Sequence, residues 1–247
     1  MEIGFIGGDR RQEVAAAFLR EAGHTTHIVS DGESLGSYSF LVLPYPVTRD
    51  GVHVAGTKRP LSTLTHLPAL PLFGGRVPAV LRQGRWVYDV EEDEALLREN
   101  AYLTAAAGVA TALKASERAF FRFRAAVIGY GRIGKETAGM LRALGAQTSI
   151  YVRREAARQE ALAAGFFARL LSEVAALDEG VVFGTVPSPA ENLASLRVRD
   201  DAMVYDLGGG LPPALATVGE GSVTVLSLRG APALFAPQAA KRRQRMR

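Results

Sequence analysis

The sequence contains no cysteine, which removes disulfides, thiolate metal ligands and a cysteine nucleophile together. Histidine is scarce: the 4 present, His24, His27, His53 and His66, all lie before residue 67. His24 and His27 flank a turn into a strand, the other two sit in loops, and none has a partner at metal-ligand spacing. They read as surface or packed histidines, and no metal site is expected. No apolar run reaches the roughly 18 residues a membrane span requires. The start, Met1-Glu2-Ile3-Gly4-Phe5-Ile6, lacks the basic region and long apolar stretch of a secretion signal. These absences predict a soluble cytoplasmic chain with no membrane partner. A net excess of either charge is also nearly missing. The formal charge is +4, yet Lys241, Arg242, Arg243, Arg245 and Arg247 supply five positives, and without them 24 basic side chains face 25 acidic ones. With neither interleaved aromatics nor a reading motif beside it, the basic end reads as a solvated tail, and nucleic acid is not an expected partner.

What is present is an alternation of short apolar runs with amphipathic stretches. The 247 residues suffice for two modest α/β domains with their own cores. The first, residues 1–98, is a smaller flavodoxin-like or Rossmann-like unit for substrate or partner. Ile3 to Ile6 reads as a strand. Arg11 to Ala22 reads as a helix with Val14, Ala17, Phe18 and Ala22 near one face and Gly23 as its cap. Strands follow at His27-Ile28-Val29 and Phe40 to Pro44. The glycine-punctuated loop from Pro44 to Pro60 leaves the carboxyl end of its strand, where open α/β sheets place ligands. Pro71 to Gly75 and Arg85 to Tyr88 add two short strands, and the acidic segment Asp89 to Glu99 separates this unit from the next. The second domain, 99–240, opens on an alanine-rich bridging helix, 100–119. It continues with helices at Glu155 to Ala164 and Leu170 to Leu177 and strands at Thr148 to Val152, Val181 to Pro187, Met203 to Leu207 and Val223 to Leu228. This order predicts a doubly wound parallel sheet, a Rossmann domain. Residues 241–247 form the basic tail.

The most informative segment is Ala125 to Gly134, an apolar run ending in Gly129, Gly131 and Gly134 and flowing into an amphipathic stretch. Dinucleotide folds use this strand, tight turn and helix start to hold a pyrophosphate. The first glycine makes the turn, the second admits the phosphates to the backbone N–H groups, and the third packs helix on strand. Tyr130, Arg132 and Ile133 lie inside the motif, and Arg132 can reach the pyrophosphate. After the next strand come Arg153 and Arg154, about 20 residues past the first glycine, where an NAD enzyme carries an acid for the ribose. Arginine there favours a 2′-phosphate, so NADP(H) is the expected cofactor. The competing reading is a glycine turn in an ordinary α/β domain with a solvated arginine pair.

Several segments together resemble the dipicolinate synthase A subunit family. They are Ile6-Gly7-Gly8-Asp9-Arg10-Arg11-Gln12; Leu43-Pro44 with its glycine-bearing loop; Asn100 to Thr104; Val127 to Gly134; Leu144-Gly145-Ala146; Val152-Arg153; Thr185-Val186-Pro187-Ser188; Asp206-Leu207; and Gly230-Ala231-Pro232 to Ala236-Pro237. The resemblance implies a two-domain relative of the hydroxyacid dehydrogenases that uses NADP. It further implies formation of pyridine-2,6-dicarboxylate from a dihydrodipicolinate-type precursor, partnership with a flavoprotein-like B subunit, a homo-oligomer, and work in the mother cell of a sporulating bacterium. There are departures. Ala106 stands where the family has a glutamate, Gly208-Gly209-Gly210-Leu211-Pro212-Pro213 replaces a serine and Pro-Gly-Gly turn, and a long final helix is not expected after Ala240. An NADP-linked 2-hydroxyacid dehydrogenase relative and a catalytically silent dinucleotide-binding scaffold are the alternative readings.

Candidate chemistry lies at strand ends and on the bridging helix. Asp9 and Arg10 follow the first strand and read as groups that orient a dicarboxylate, or, for Asp9, as a helix cap. Arg76 follows two glycines at another strand end, where its fork matches a carboxylate as well as it fits a surface ion pair. Asn100 and Thr104 share a helix face, suited to nicotinamide amide or substrate, with capping the other account of Asn100. Thr185, Val186 and Pro187 end a core strand, where backbone groups and the threonine hydroxyl can touch the nicotinamide ribose. Asp206 ends the next strand and either orients the nicotinamide side or closes a loop.

Overall fold

The computed structural model describes residues 1–7, 10–67, 70–116, 122–187 and 191–228. Asp9, Gly8, Ser188, the 229–247 stretch with the basic tail, and the expected helix beyond residue 116 lie outside the described residues. The chain divides into two compact units, Met1–Leu97 and Arg98–Arg247.

In the first unit, β1 (Glu2–Ile6) leads into α1 (Arg10–Glu21), then β2 (Thr25–Val29), β3 (Phe40–Val42), the short α2 (Ser62–Thr65), β4 (Leu72–Gly74) and β5 (Val87–Asp89). The strands pair in parallel in the order β2-β1-β3-β4-β5, the flavodoxin-like order, whose crevice opens where the order reverses, between β1 and β3. Leu41, Leu72, Ile6 and Leu64 fill one face, while Ile3 and Phe5 meet Ala16 of α1 on the other. The face of α1 differs from expectation. Gln12 and Ala16 are buried and Phe18 is 56% exposed. The buried stripe is therefore turned from the Val14-Phe18 line, because the Gln12 side chain reaches down to the Ile6 carbonyl at 2.7 Å. Gly23 does end the helix, at φ +88°, with the His24 N–H donating to the Leu19 carbonyl at 3.0 Å.

The 22-residue helix α3 (Glu94–Ala115) starts earlier than expected. The acidic segment expected to separate the units is its start. Asp93 Oδ1 accepts the Leu96 N–H at 2.9 Å, and negative side chains are favoured at a helix N-terminus. Then follow β6 (Arg124–Ile128), α4 (Arg132–Ala143), β7 (Gln147–Val152), α5 (Glu155–Ala163), β8 (Phe167–Leu170), β9 (Val181–Gly184), α6 (Glu191–Ala194), β10 (Arg197–Val198), β11 (Met203–Asp206), β12 (Ala214–Thr217) and β13 (Ser222–Ser227). The eight-stranded sheet runs β10-β12-β13-β11-β9-β6-β7-β8. From the β8 edge to β13, six strands run β8-β7-β6-β9-β11-β13, the Rossmann order 3-2-1-4-5-6 counted from β6, with β12 and β10 added beyond β13. All pairs are parallel except β12 with β13, so the sheet is mixed at that end rather than wholly parallel.

Ala125 to Ile128 of β6 are all buried, because both faces of the sheet are covered. Val127, Ile150 and Phe183 pack with Val109 and Ala112 of α3 and Ala138 and Leu141 of α4. Ala126, Ile128, Tyr151 and Val182 pack with Leu171, Leu177 and Leu193 on the opposite face. The helix expected from Leu170 to Leu177 does not form. Phe167 to Leu170 is strand β8, followed by a single 3-10 turn, Leu171–Glu173. Two-residue alternation won: Ala168 is buried between exposed Phe167 and Arg169.

A glycine turn at the switch point of the second sheet

The expected phosphate motif occupies the reversal point of the larger sheet, between β6 and β9. Gly129 leaves β6 at φ +100°, a conformation that favours glycine. A Cβ on Gly134 would stand 2.3 Å from the Gly129 carbonyl oxygen, so only a glycine lets α4 close so tightly on the strand. At Gly131, by contrast, an added Cβ would meet nothing within 4 Å. The space before the turn is open, at the start of a 12-residue helix whose first N–H groups face it. These features fit a pyrophosphate.

The side chains of the motif divide. Tyr130 is partly buried, its ring 6.0 Å from Phe166 and 5.7 Å from the Lys135 ammonium, so its backbone rather than its ring serves the turn. Burial pushes its hydroxyl pKa up. Ile133 packs against the core, and Arg132 is exposed at the first position of α4. Arg153 and Arg154 are exposed just beyond β7, at the same sheet edge as the turn because Tyr151 is in register with Ile128. Neither guanidinium has a hydrogen bond or ion pair among the described residues, and both face solvent.

Thr185, Val186 and Pro187 lie just past β9 at this edge. The Thr185 hydroxyl is committed to the protein, 3.0 Å from the Ile128 carbonyl and 3.3 Å from that of Gly129. Asp206 is buried, and its Oδ1 accepts the Gly209 N–H at 2.7 Å, which closes the triple-glycine loop. Thr104 is buried with its hydroxyl donating to the Asn100 carbonyl at 2.7 Å. Asn100 itself is exposed and one and a half turns inside α3, so it does not cap the helix.

In the first unit, Arg10 is exposed and paired with Glu13 at 3.1 Å. Arg76 has φ +56°, rare for a non-glycine residue, and its Nε donates to Glu91 at 2.9 Å. The structure adds a neighbour that the sequence pattern does not announce. Tyr45 hydrogen-bonds Glu91 through its hydroxyl and lies beneath two guanidinium groups, those of Arg11 at 5.7 Å and Arg76 at 5.9 Å. Gly75 makes room, since a Cβ there would be 1.7 Å from the Tyr45 ring. The phenol and the Arg76 guanidinium hold the Glu91 carboxyl below its ordinary pKa, and burial raises that of Tyr45. The signal that could have found this cluster is the Gly74-Gly75-Arg76 run itself, two residues without side chains beside a strand end. Among the described residues no three His, Asp or Glu side chains are grouped to hold a metal, and no helix is long and apolar enough to cross a membrane.

A glycine turn at the switch point of a 3-2-1-4-5-6 sheet, in a chain that also carries a smaller flavodoxin-like unit, defines a two-unit Rossmann-type α/β fold. Solved structures make the likeness particular. The A chain of dipicolinate synthase from Bacillus subtilis is similar over 97% of this chain and 91% of that one, with TM-score 0.65 and 21% identity. Its counterpart in the dipicolinate synthase of Bacillus halodurans is similar over 98% and 94%, with TM-score 0.63 and 20% identity. D-lactate dehydrogenase from Escherichia coli matches over 95% and 90%, at TM-score 0.55 and 13% identity. At these identities the likeness is one of fold. Neither a protein-family model nor a curated protein matches the sequence.

Proposed function

We propose that the chain is the NADP(H)-binding, dehydrogenase-type component of a dipicolinate synthase, forming pyridine-2,6-dicarboxylate from a dihydrodipicolinate-type precursor during sporulation, in partnership with a B subunit. The observation that carries this reading is the open glycine turn with two uncommitted arginines at the next strand end. Turn amides and Arg132 receive the pyrophosphate, and Arg153 and Arg154 receive the 2′-phosphate, which a planar guanidinium matches bidentately. The fold shared with two dipicolinate synthase A chains supports the substrate assignment.

Aromatising a dihydropyridine removes a hydride and a proton. The chemistry supplied by a bound nicotinamide is hydride acceptance. The protein has to bind, orient and accept a proton. Arg10 and Arg76 are assigned to the substrate carboxylates, with Asp9 orienting the same group. Asn100 offers an exposed amide on α3. Thr104 and Asp206, whose polar atoms are tied to the Asn100 carbonyl and to the Gly209 amide, hold the local shape of α3 and of the loop after β11. Val186 and Pro187 supply backbone and surface for the nicotinamide end.

Incubation of the purified chain with dihydrodipicolinate and NADP+, with and without a B subunit, should produce pyridine-dicarboxylate absorbance. Tight NADPH binding without any turnover would replace this reading with the silent scaffold, and turnover of 2-hydroxyacids alone would replace it with the dehydrogenase relative. Cofactor choice has its own test. Arg153→Asp should move preference toward NAD by about tenfold or more, since the 2′-phosphate loses a cation and meets an anion. Calorimetric titration of both cofactors reads the ratio, and unchanged discrimination would remove Arg153 from the site.

A further inference from the structure

The Thr185 hydroxyl holds a peptide of the phosphate turn. Thr185 follows β9, in line with Gly129 across the sheet, and donates its backbone N–H to the Ile128 carbonyl at 2.9 Å. Its hydroxyl proton is shared between the carbonyls of Ile128 at 3.0 Å and Gly129 at 3.3 Å. No backbone N–H among the described residues donates to the Gly129 oxygen, so the hydroxyl is what that oxygen has. The same oxygen is confined from the helix side, where the missing Cβ of Gly134 would be 2.3 Å away and only 3.0 Å from Thr185 Oγ1.

Thr185 is itself held from behind. A Cβ on Gly208 would stand 2.5 Å from the Thr185 carbonyl carbon and 2.3 Å from the Val186 oxygen, so the loop after β11 lies directly against this peptide. The Leu207 and Gly208 N–H groups both donate to the Gly184 carbonyl, at 2.8 and 3.1 Å, which ties that loop to the end of β9. Because a peptide unit is planar and trans, its N–H points opposite to its C=O. A Gly129 carbonyl turned toward Thr185 therefore turns the Tyr130 N–H away from it, to the other side of the turn.

We propose that Thr185 is a positioning residue for diphosphate binding: its hydroxyl fixes the Gly129–Tyr130 peptide so that the Tyr130 amide faces the ligand. The role rests on the dinucleotide reading and differs from a ribose contact, because the hydroxyl proton is already placed. Thr185→Val keeps the shape and removes the donor, and Thr185→Ser keeps the donor.

Calorimetry with NADPH, ADP-ribose and adenosine 2′-monophosphate separates the effects, since the last lacks a diphosphate. Thr185→Val should weaken NADPH and ADP-ribose about tenfold, the scale of an orphaned acceptor, and leave adenosine 2′-monophosphate unchanged. Thr185→Ser should stay within about twofold for all three. In the unmodified protein the Tyr130 amide resonance should shift with ADP-ribose and stay in place with adenosine 2′-monophosphate, a readout that does not depend on any variant folding. Equal losses for all three ligands, no loss in Thr185→Val, or a Tyr130 amide indifferent to ADP-ribose would each overturn the role while leaving the dinucleotide site standing. Failure of the unmodified protein to bind any of the three would overturn both.

Discussion

Glu179 is 1% exposed and, among the described residues, receives one hydrogen bond, from the Tyr151 hydroxyl at 2.9 Å, its second oxygen having no partner there. Burial first, and then the adjacent Glu179 carboxyl, raises the Tyr151 pKa well above its ordinary 10.0, so the phenol remains a donor throughout the neutral range. Since the folded value lies above the unfolded one, the stability tied to Tyr151 is fully present below pH 10 and is lost as pH rises through the raised folded value. Tyr151→Phe leaves a buried carboxyl with neither oxygen bonded, which should cost about 1–3 kcal/mol in urea unfolding. Adding Glu179→Leu should restore most of that loss, because no buried polar group is then stranded. A Tyr151→Phe chain as stable as its parent would show that the phenol does not hold the carboxyl. At this scale the sequence was legible where one residue type has one use. Gly129 and Gly134 sit where a positive-φ turn and a close packing require them, while at Gly131 an added Cβ would meet nothing within 4 Å. Thr104, Thr185 and Asp206 were harder to read, because a hydroxyl or carboxylate serves backbone and ligand equally well and only the folded chain shows which it has met.

Elements were legible in proportion to how strongly one period dominates. β6, β7, β9, β11 and β13 were recognisable as apolar or alternating runs, and α4 and α5 as amphipathic stretches after glycine or arginine. The segment from Phe167 to Leu177 carries leucines at spacings that suit either period. Tertiary context decided it: β8 pairs with β7 through Ser149 to Val152, and Leu171 and Leu177 fill the core with no α-helix between them. Two further strands were missed, and both are short. β10 has two residues, and β12 has four whose buried members are Leu215 and Thr217, a pattern too brief to stand out. Acidity misled at α3. Asp93, Glu94 and their neighbours look like a solvated linker in one dimension, yet Asp93 takes the Leu96 amide, and its carboxyl is held below its ordinary pKa by the Tyr88 hydroxyl and then by that amide. Helix α3 therefore begins at this cap rather than at the alanines.

Each unit of the whole molecule has its own core. Leu41, Leu64 and Leu72 belong to the first, and Val127, Leu141 and Phe183 to the second. The glycine turn, both uncommitted arginines, the Thr185 brace and the loop from Asp206 to Gly210 all belong to the second. If a domain is defined by a core that can fold alone, residues 93–247 should fold without the rest, provided Asp93 is kept to cap α3. Such a fragment should melt cooperatively by circular dichroism and bind NADPH with about the dissociation constant of the full chain, while failing to turn over dihydrodipicolinate because Arg10 and Arg76 are absent. A fragment that folds but has lost NADPH would place part of the cofactor site in residues 1–92. One that retained turnover would remove both arginines from the substrate assignment and leave the chemistry wholly to the larger sheet.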